Sequence, residues 1–511
     1  MSDGSKEKKT MQMRLPEGVP TQIFLGGEFT DGHEGETFEV LNPSDGSILA
    51  RVASASKHDA EEALNKAAAA QPLWAATSAR ERSDILWNAY KALLDNSEKL
   101  AVIQSLELGR ALPDSRAEVT YAAEFFRWFA EEAVRVRGDY RHSPTGNARL
   151  IVHQQPVGVS LAITPWNFPL AMGTRKLGPA LAAGCTMILK PASKTPLTML
   201  YLARLLKEAG VPEGVVSVLP TADSSVISDM LDDPRVRKLT FTGSTEVGQK
   251  LAARAAQHSM KVSLELGGNA PYVVLADADI SVAAQAVATA KMRGAGQVCI
   301  AANRFLVHES IKDEFLHRVV EIMKSFTQGP ATQEGVDFGA LSGEDQLEKV
   351  TMLVDDALAH GATRVLGESL PAGLPEGGFY YPATVLENIS PDARIAHEEI
   401  FGPVVAISTF QDDEEAIAMA NDTPFGLAAY VFSEQITHAL SIAERIEAGM
   451  VGVNKGGISD PSAPFGGVKE SGVGREGGFE GIHEFLEPKL IALPLQSRRR
   501  RNDSNALPTQ A

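Results

Sequence analysis

Short apolar runs alternate with helix-like segments through the middle of the chain, and this alternation restricts the possible folds more than any other feature. The run GVSLAI (158–163) precedes a segment with helical spacing (170–184), and TMILKP (186–191) is the next apolar run. Thr195 and Pro196 are typical of a helix N-terminus, and VVSVLP, RKLTFTG and APYVVLA are further strand-like runs. Strands that alternate with helices predict an α/β fold, with a largely parallel sheet covered on both faces.

A second α/β block follows, and FLVHES, the amphipathic segment 311–326 and the segment 436–449 before MVGVN belong to it. The runs NARLIVHQQPVGV (147–159) and KLIALPL (489–495) are predicted to be exposed strands. Exposed strand edges have to be covered, and pairing with another subunit is one way to cover them. A chain of 511 residues is too long for one compact core, so two or three domains are expected.

Charge and cysteine content exclude several classes of protein. The 48 Lys and Arg residues against 65 Asp and Glu residues give a net charge of −17, which repels nucleic acid and anionic membranes. Two cysteines provide no disulfide framework, no uncharged apolar run reaches membrane-spanning length, and the N-terminus has no signal-peptide pattern. We therefore expect a cytoplasmic protein. Residues 1–19 and the basic tail 497–511 are expected to be disordered, the tail being solvated or bound to an acidic partner.

Three residues are candidates for chemistry. Cys299 lies among small residues in RGAGQVCIAAN, where it is either an ordinary buried side chain or a nucleophile. Glu265 lies between leucines in SLELGGNAP, as a salt-bridged structural carboxylate or as a general base whose pKa is raised by apolar neighbours. Asn167 lies in TPWNFP after a strand, where its amide could stabilise an oxyanion or simply complete a Pro-rich turn. The other cysteine, Cys185, is assigned to the core.

The segment FTGSTEVG is a candidate phosphate-binding element. A strand leads into Gly243 and a helix begins at Ser244, so free backbone amides are available for a pyrophosphate group. The segment does not match G-x-G-x-x-G, and by that fingerprint alone the signal is weak.

Together these elements resemble the aldehyde dehydrogenase superfamily in type, order and approximate spacing over about residues 20–495. The motifs concerned are TPWNFP, LKPAS-TP, FTGST--G, LELGGNAP, GQVC, EEIFGPV, NDTPFGLAAYVF and PFGGVKESGVGRE. The resemblance implies two doubly wound parallel-sheet domains and a small β oligomerisation element, in a homodimer or homotetramer without a metal. The expected ranges are 20–138 and 159–271 for the dinucleotide-binding domain, 272–475 for the catalytic domain, and 139–158 with 476–496 for the oligomerisation element.

The resemblance also implies a mechanism. Cys299 would attack the aldehyde, the Asn167 amide would stabilise the oxyanion, and Glu265 would activate water to release a carboxylic acid from a thioester. Lys176 and Glu476 would form a proton relay. The presence of Glu265 argues against a CoA-acylating enzyme, and the retention of all three central residues argues against a catalytically silent binding homologue.

The expected cofactor is NADP, with NAD as the alternative. Family members that prefer NAD often have Glu three residues after the lysine that corresponds to Lys190, and this chain has Ser193 there, which cannot repel a 2′-phosphate. Lys190 and Lys194 supply positive charge. The resemblance assigns further residues to the cofactor: Thr164, Pro165, Trp166, Gly243, Ser244, Gly248, Leu266, Glu399 and Phe401.

The motifs K-R--GQ-C, TRK and GGIS resemble succinate-semialdehyde dehydrogenases, in which Arg293, Arg175 and Ser459 would bind the distal carboxylate. Each arginine could instead pair with an acidic neighbour, and Arg175 also occurs in members that take neutral aldehydes. Ala301 replaces the second cysteine frequent in that subfamily, and GISDPSAPFGG departs from its usual loop. Succinate semialdehyde is the expected substrate, with another ω-carboxylated semialdehyde or a neutral aliphatic or aromatic aldehyde as alternatives.

Overall fold

The structure is a computed structural model and describes residues 13–495. The strands are β1 Ile23–Leu25, β2 Glu28–Thr30, β3 Thr37–Leu41, β4 Ile48–Ala53, β5 Asp139–His142, β6 Ala148–Pro156, β7 Val159–Ile163, β8 Met187–Lys190, β9 Val216–Val218, β10 Val236–Thr242, β11 Lys261–Glu265, β12 Ala270–Val274, β13 Ala302–His308, β14 Thr363–Leu366, β15 Thr384–Glu387, β16 Val404–Phe410, β17 Phe425–Gly426, β18 Ala428–Phe432, β19 Met450–Val453, β20 Val468–Lys469, β21 Gly472–Val473 and β22 Leu486–Pro494. The α-helices are α1 Lys57–Ala76, α2 Ala79–Asp95, α3 Ser97–Leu108, α4 Leu112–Ala133, α5 Ala171–Ala183, α6 Pro196–Glu208, α7 Ser225–Ser228, α8 Thr245–Ala256, α9 Ile280–Val287, α10 Lys312–Ser325, α11 Glu344–Ala359, α12 Arg394–His397, α13 Asp413–Asn421, α14 Ile436–Ala443 and α15 Glu480–His483. Short 3-10 helices span Asp229–Asp232, Arg293–Gly296 and Glu309–Ile311, and a π-helix spans Ala288–Met292.

The first large sheet has eight strands in the order β2-β1-β9-β8-β7-β10-β11-β21. Its central strands β9, β8, β7, β10 and β11 are parallel. The chain starts these five at β7, moves outward through β8 and β9, and returns to the other side for β10 and β11. This is a doubly wound arrangement, in which a ligand crevice is expected at the carboxyl ends of β7 and β10.

The second large sheet has seven strands in the order β14-β15-β16-β13-β12-β18-β19, and only β14 is antiparallel to its neighbour. Alternate residues of a strand belong to different cores. Tyr272 and Val274 belong to the largest apolar cluster, and Val273 between them belongs to a smaller cluster. The first sheet shows the same division at Leu189 and Ile188. Both sheets are therefore buried on both faces, and the predicted α/β fold class is confirmed.

The start of α6 differs from the sequence-based expectation in one respect. Pro196 is its first residue, as predicted, but the hydroxyl of Thr195 makes no capping bond and donates to the Trp166 carbonyl at 3.2 Å. The buried carboxylate of Glu107 accepts hydrogen bonds from the backbone N–H groups of Leu197 and Thr198, at 2.8 and 3.0 Å. A carboxylate at this position satisfies amides that have no partner within the helix. Helix α6 is thus capped from α3, at a residue that local sequence patterns do not identify.

The two strands predicted to be exposed pair with each other. β6 and β22 are antiparallel from Leu486 opposite Pro156 to Pro494 opposite Ala148, and β5 completes a three-stranded sheet. β22 lies at one edge of this sheet, and its Leu490 is 61% exposed. The domain boundaries stay predictions. β21 lies within the range 272–475 that was assigned to the catalytic domain, yet it pairs with β11 of the first sheet.

The N-terminal segment also differs from expectation. Leu15 and Val19 pack against the largest apolar cluster, and Lys99 donates to the Glu17 carbonyl at 2.6 Å. The expectation of disorder over 1–19 is therefore wrong for residues 13–19, and the basic tail 497–511 lies outside the described residues. Within 13–495, no helix combines the length and the apolar character that a membrane crossing requires.

Candidate active site

The candidate site forms where the carboxyl ends of the first sheet face the amino ends of the second. Asn167 lies in the loop after β7, and Glu265 is the last residue of β11. Cys299 comes shortly before β13, and Glu399 comes shortly before β16. A Cβ atom at Gly268 would lie 2.8 Å from the Cys299 carbonyl oxygen, so the backbone after Glu265 and the backbone of the nucleophile loop are in direct contact. The catalytic candidates of the two sheets are thereby brought to one place.

The backbone before Cys299 is unusual. A π-helix ends at Met292, and Gly294, Ala295 and Gly296 then have φ angles of 58°, 56° and 75°. A left-handed alanine is strained, and such strain is concentrated at functional sites. At Gly296 a Cβ atom would overlap the Gly402 carbonyl group, so this position requires glycine. The loop that precedes the thiol is therefore held in a conformation that ordinary residues avoid.

Asn167 is fixed through both its side chain and its backbone. Its Nδ2 donates to the Gln297 carbonyl at 3.0 Å, which leaves the second amide hydrogen for another acceptor. Its carbonyl accepts from the guanidinium of Arg110, which also pairs with Glu118; all three residues are buried. Glu118 in turn accepts from two backbone N–H groups at the start of α5, at 3.0 and 3.1 Å. Arg110, Glu118 and Gln297 are site residues that the sequence analysis missed.

The carboxylate of Glu265 is buried and has no hydrogen-bond partner for either oxygen within the described part of the chain. Burial, and then the charge of Glu476, raise the pKa of Glu265 above its usual range. Cys299 is only partly exposed; burial, followed by the proximity of Glu265, raises the pKa of its thiol well above its usual range, and Arg175 partly offsets this. A thiol with an adjacent, unpartnered carboxylate has the composition of an activated nucleophile. Cys185 is buried in the core, as predicted.

Lys176 and Glu476 are in contact. Lys176 is buried, donates to the Thr242 hydroxyl at 2.7 Å, and forms an ion pair with Glu476. Glu476 reaches this position because Phe465 and Glu476 pair through their backbones, beside β21 at the edge of the first sheet. The predicted relay pair is therefore assembled, and its carboxylate is close enough to Glu265 to raise the pKa of that group.

Arg175 and Ser459 are joined through Tyr121. The Arg175 guanidinium donates to the Tyr121 hydroxyl at 2.5 Å, and that hydroxyl is hydrogen-bonded to Ser459. Arg175 also lies 3.5 Å from Glu476 and covers the ring of Phe465 at 4.0 Å. This arginine therefore has an acidic neighbour, Glu476, which it shares with Lys176.

Arg293 has a different environment. Its guanidinium lies 4.9 Å from the centre of the Phe168 ring, whose other guanidinium contact is Arg110 at 4.2 Å. Arg293 is half-buried, and its guanidinium forms no ion pair or hydrogen bond with any residue of 13–495. Of the two candidate arginines, Arg293 is the one with an uncompensated charge.

The adenosine end of the predicted cofactor site is positively charged. Lys190 ends β8, and burial lowers its pKa. Ser193 is half-buried and contacts no carboxylate among the residues that the structure describes. Lys194 was also expected to supply positive charge to the cofactor. Its ammonium instead pairs with Asp345 at 2.5 Å, and it lies 5.5 Å from the centre of the Trp166 ring. Lys190 and Ser193 thus remain available to a phosphate group.

The remaining predicted cofactor residues also surround the crevice. Pro165 and Trp166 follow the buried Thr164, whose hydroxyl has no partner among the described residues. The backbone N–H of Gly243 donates to the Glu265 carbonyl at 3.1 Å, and the hydroxyl of Ser244 makes no capping bond at the start of α8. A Cβ atom at Gly248 would collide with Leu266, so the helix lies close to the strand that carries Glu265. The Gly243 amide is therefore not free, contrary to expectation, whereas the unpaired Thr164 hydroxyl, the uncapped start of α8 and the close approach at Gly248 fit a dinucleotide.

Glu399 and Phe401 lie on the opposite side of the crevice. Glu399 accepts from the Gly268 backbone N–H at 3.3 Å, and burial raises the pKa of this carboxyl to about 7. Phe401 has a left-handed φ of 57°, and its ring lies edge-on to Trp166 with the centres 5.4 Å apart. A non-glycine residue in this conformation is a second strained position at the site.

Comparison with known proteins agrees with this geometry. The model of the aldehyde dehydrogenase family matches residues 29–491, and the chain belongs to this family. The NADP(+) succinate-semialdehyde dehydrogenase of Escherichia coli (strain K12) is 42% identical over 93% of this chain and 98% of its own length. The glutarate-semialdehyde dehydrogenase of Pseudomonas aeruginosa is also 42% identical, over 94% and 99% respectively. The crystal structure of succinate-semialdehyde dehydrogenase from Burkholderia pseudomallei matches with a TM-score of 0.92 and 42% identity, over 95% of this chain and all of that one. The predicted enzyme class, an NAD(P)-dependent aldehyde dehydrogenase, is confirmed.

Proposed function

We propose that this chain oxidises succinate semialdehyde to succinate with NADP. The substrate assignment depends on Arg293. Its guanidinium is half-buried near the nucleophile loop and has no carboxylate partner among residues 13–495. A guanidinium in this state is suited to bind a carboxylate of the substrate through two parallel hydrogen bonds. Two proteins that share 42% of their residues with this chain are named for semialdehydes that carry a distal carboxylate.

The chemistry begins at Cys299. Its thiol loses a proton to solvent, and the thiolate attacks the aldehyde carbon to give a thiohemiacetal. The second Nδ2 hydrogen of Asn167 donates to the developing oxyanion, and the first is held by Gln297 at 3.0 Å so that the amide cannot rotate away. A bound dinucleotide would supply the acceptor for the hydride that leaves the substrate carbon, and this converts the thiohemiacetal to a thioester.

Release of the acid depends on Glu265. Its unpartnered, buried carboxylate takes a proton from a water molecule, which attacks the thioester carbon and displaces the Cys299 thiolate. The proton then leaves through the neighbouring pair of Glu476 and Lys176, whose ammonium is also bonded to Thr242 at 2.7 Å. Burial raises the pKa of Glu265, which makes it a stronger base than an exposed carboxylate.

The preference for NADP rests on Lys190 and Ser193. Neither side chain contacts a carboxylate in the described region, and a 2′-phosphate needs positive charge and a hydroxyl donor without a nearby anion. Thr164, Pro165, Trp166, Gly243, Ser244, Gly248 and Leu266 would hold the remainder of the dinucleotide, and Glu399 with Phe401 its nicotinamide ribose. The charge of Lys194 is shared with Asp345, so Lys194 would contribute to cofactor binding through its contact with the Trp166 ring.

The test of the proposed function is a comparison of kcat/KM for three aldehydes: succinate semialdehyde, glutarate semialdehyde and butanal, each with NADP and with NAD. Succinate semialdehyde is expected to be preferred over butanal by at least tenfold, since a hydrogen bond to a charged group contributes about 1.5–3 kcal/mol. A preference for glutarate semialdehyde would still support a binding site for the distal carboxylate, but it would show that the preferred substrate has a longer carbon chain than succinate semialdehyde. A preference for butanal would refute the substrate assignment.

We also propose a cytoplasmic homodimer or homotetramer. The exposed side chains of Leu490 and Leu493, 61% and 44% accessible, lie on the edge strand β22, which a second subunit could cover. Cys299 has to remain a free thiol for the proposed chemistry, which a reducing compartment ensures. Sedimentation that shows a monomer at micromolar concentration would refute the oligomer.

A further inference from the structure

A second cluster of reactive side chains lies at the start of α1, and it has no part in the proposed chemistry. His58 and Glu62 are four residues apart on this helix, so they lie on one face. His33, from the loop between β2 and β3, lies above them. One ligand atom from each of these three residues lies within 4.8 Å of the other two.

His33 is oriented by a buried carboxylate. Its Nδ1 is hydrogen-bonded to Asp59 at 2.7 Å, and its backbone N–H donates to the same carboxylate at 3.1 Å. Asp59 is fully buried and also forms a reciprocal capping pair with Ser56 at the start of α1, so it cannot turn away. A proton on Nδ1, held by a carboxylate, leaves the Nε2 lone pair of His33 directed outward. This arrangement of carboxylate, histidine and metal is typical of metal sites.

The neighbouring glycine allows the loop to approach this carboxylate. Gly32 has a φ of +78°, and a Cβ atom there would lie 3.2 Å from an Asp59 oxygen. A larger residue would therefore combine backbone strain with crowding against the group that orients His33.

The distances suit a small divalent ion. Nε2 of His33 lies 3.6 Å from a Glu62 oxygen, and ligands of a tetrahedral zinc ion are separated by about 3.3 Å when the bonds are near 2.0 Å. The centres of the His33 and His58 rings lie 3.7 Å apart, and their planes are inclined by 38°. The other Glu62 oxygen lies 3.3 Å from the Lys66 ammonium.

We propose that His33, His58 and Glu62 form a binding site for Zn²⁺ or a similar transition metal, with solvent as the fourth ligand. Two imidazoles and one carboxylate are a donor set that zinc accepts. The ion joins the loop between β2 and β3 to the first turns of α1, a helix that packs against β1, β7, β8 and β9 of the first sheet. Its effect is on the stability of that sheet, and aldehyde oxidation does not require it.

The test is zinc binding to untagged, chelator-treated full-length protein, measured by calorimetry and by competition with a chromophoric chelator. All proteins carry Cys299→Ala, because a free thiolate also binds zinc. One equivalent is expected to bind, and His58→Ala, His33→Ala and Glu62→Gln are each expected to weaken the affinity at least tenfold. His438→Ala is the matched control, since His438 also lies between two carboxylates, Asp413 at 2.7 Å and Asp277 at 3.5 Å.

A second readout separates binding from folding. Zinc is expected to raise the Tm of the protein and to leave that of His58→Ala unchanged, and His58→Ala with Cys299 intact should keep full dehydrogenase activity. The proposal is refuted if zinc binding is absent, if it survives all three substitutions, or if His438→Ala weakens it equally. In that case the cluster is only a contact of His33 with Asp59 and Glu62 at the start of α1.

Discussion

Replacement of Arg293 by Met tests the substrate assignment, because it removes the guanidinium and its charge and keeps an unbranched apolar side chain. The wild-type guanidinium has no partner among residues 13–495, so no buried carboxylate is left unpaired by the change. The guanidinium also interacts with the Phe168 ring, 4.9 Å away. Loss of this interaction should change kcat/KM equally for the charged and the neutral aldehyde, so it cancels in the ratio of the two values. The change in this ratio therefore reports the hydrogen bonds to the substrate carboxylate, which contribute about 1.5–3 kcal/mol.

The expected result is a loss of about ten- to a hundredfold in the ratio of kcat/KM for succinate semialdehyde to that for butanal, at 1.4 kcal/mol per decade. Steady-state NADPH absorbance measures both values. The loss should come from succinate semialdehyde, and Arg293→Lys should retain part of the preference because it keeps the charge without the fork. Arg175→Met is the contrast: Arg175 lies 3.5 Å from Glu476, so both aldehydes should lose activity together. If Arg175→Met abolishes the preference and Arg293→Met does not, the reasoning is wrong.

Four further experiments address other parts of the structure. Glu265→Gln should retain the burst of hydride transfer and stall at the thioester, and the absence of both a burst and slow deacylation would exclude Glu265 as the hydrolytic base. In the wild type, kcat/KM should rise with pH, since Cys299 and Glu265 both act deprotonated and burial raises the pKa of each; a profile that falls from neutral to alkaline pH would contradict this. Ser193→Glu should reduce kcat/KM for NADP far more than for NAD, and equal losses would show that Ser193 does not face the 2′-phosphate. Glu107→Ala should destabilise the protein by about 2 kcal/mol or more, seen as a lower Tm, whereas the exposed Glu208→Ala should change it little.

The first sheet and its loops were predictable because the signals are local. Each of β7, β8 and β10 is a short apolar run followed by a turn, and Asn167 and Gly243 lie in the turns themselves. The rule that ligands bind at the carboxyl ends of parallel strands then places both residues at the crevice. For the second sheet the same rule would have pointed to the wrong end, since Cys299 and Glu399 lie before the amino ends of their strands. Only the resemblance to the family placed them.

The residues that hold the site in position could not be found in this way. Arg110 and Glu118 are separated from Asn167 by about 50 residues, and no periodic pattern marks a buried ion pair that serves a distant loop. Glu107 caps a helix that begins about 90 residues later, in place of the adjacent Thr195. In each case a polar side chain is buried against backbone groups that only the folded chain brings near, so the sequence contains no local evidence for it.

The pairing of β6 with β22 has a consequence for synthesis on the ribosome. About 330 residues separate Pro156 from its partner Leu486, and at 5–20 residues per second translation of this interval takes roughly 15 seconds to a minute. Throughout this time one edge of β6 has unpaired backbone groups, which makes it a docking site for chaperones and for other nascent chains. Glu476 lies in the same late segment, so a growing chain that already contains Cys299 and Glu265 has no proton relay. Catalytic competence therefore arrives almost together with the strand that closes this edge.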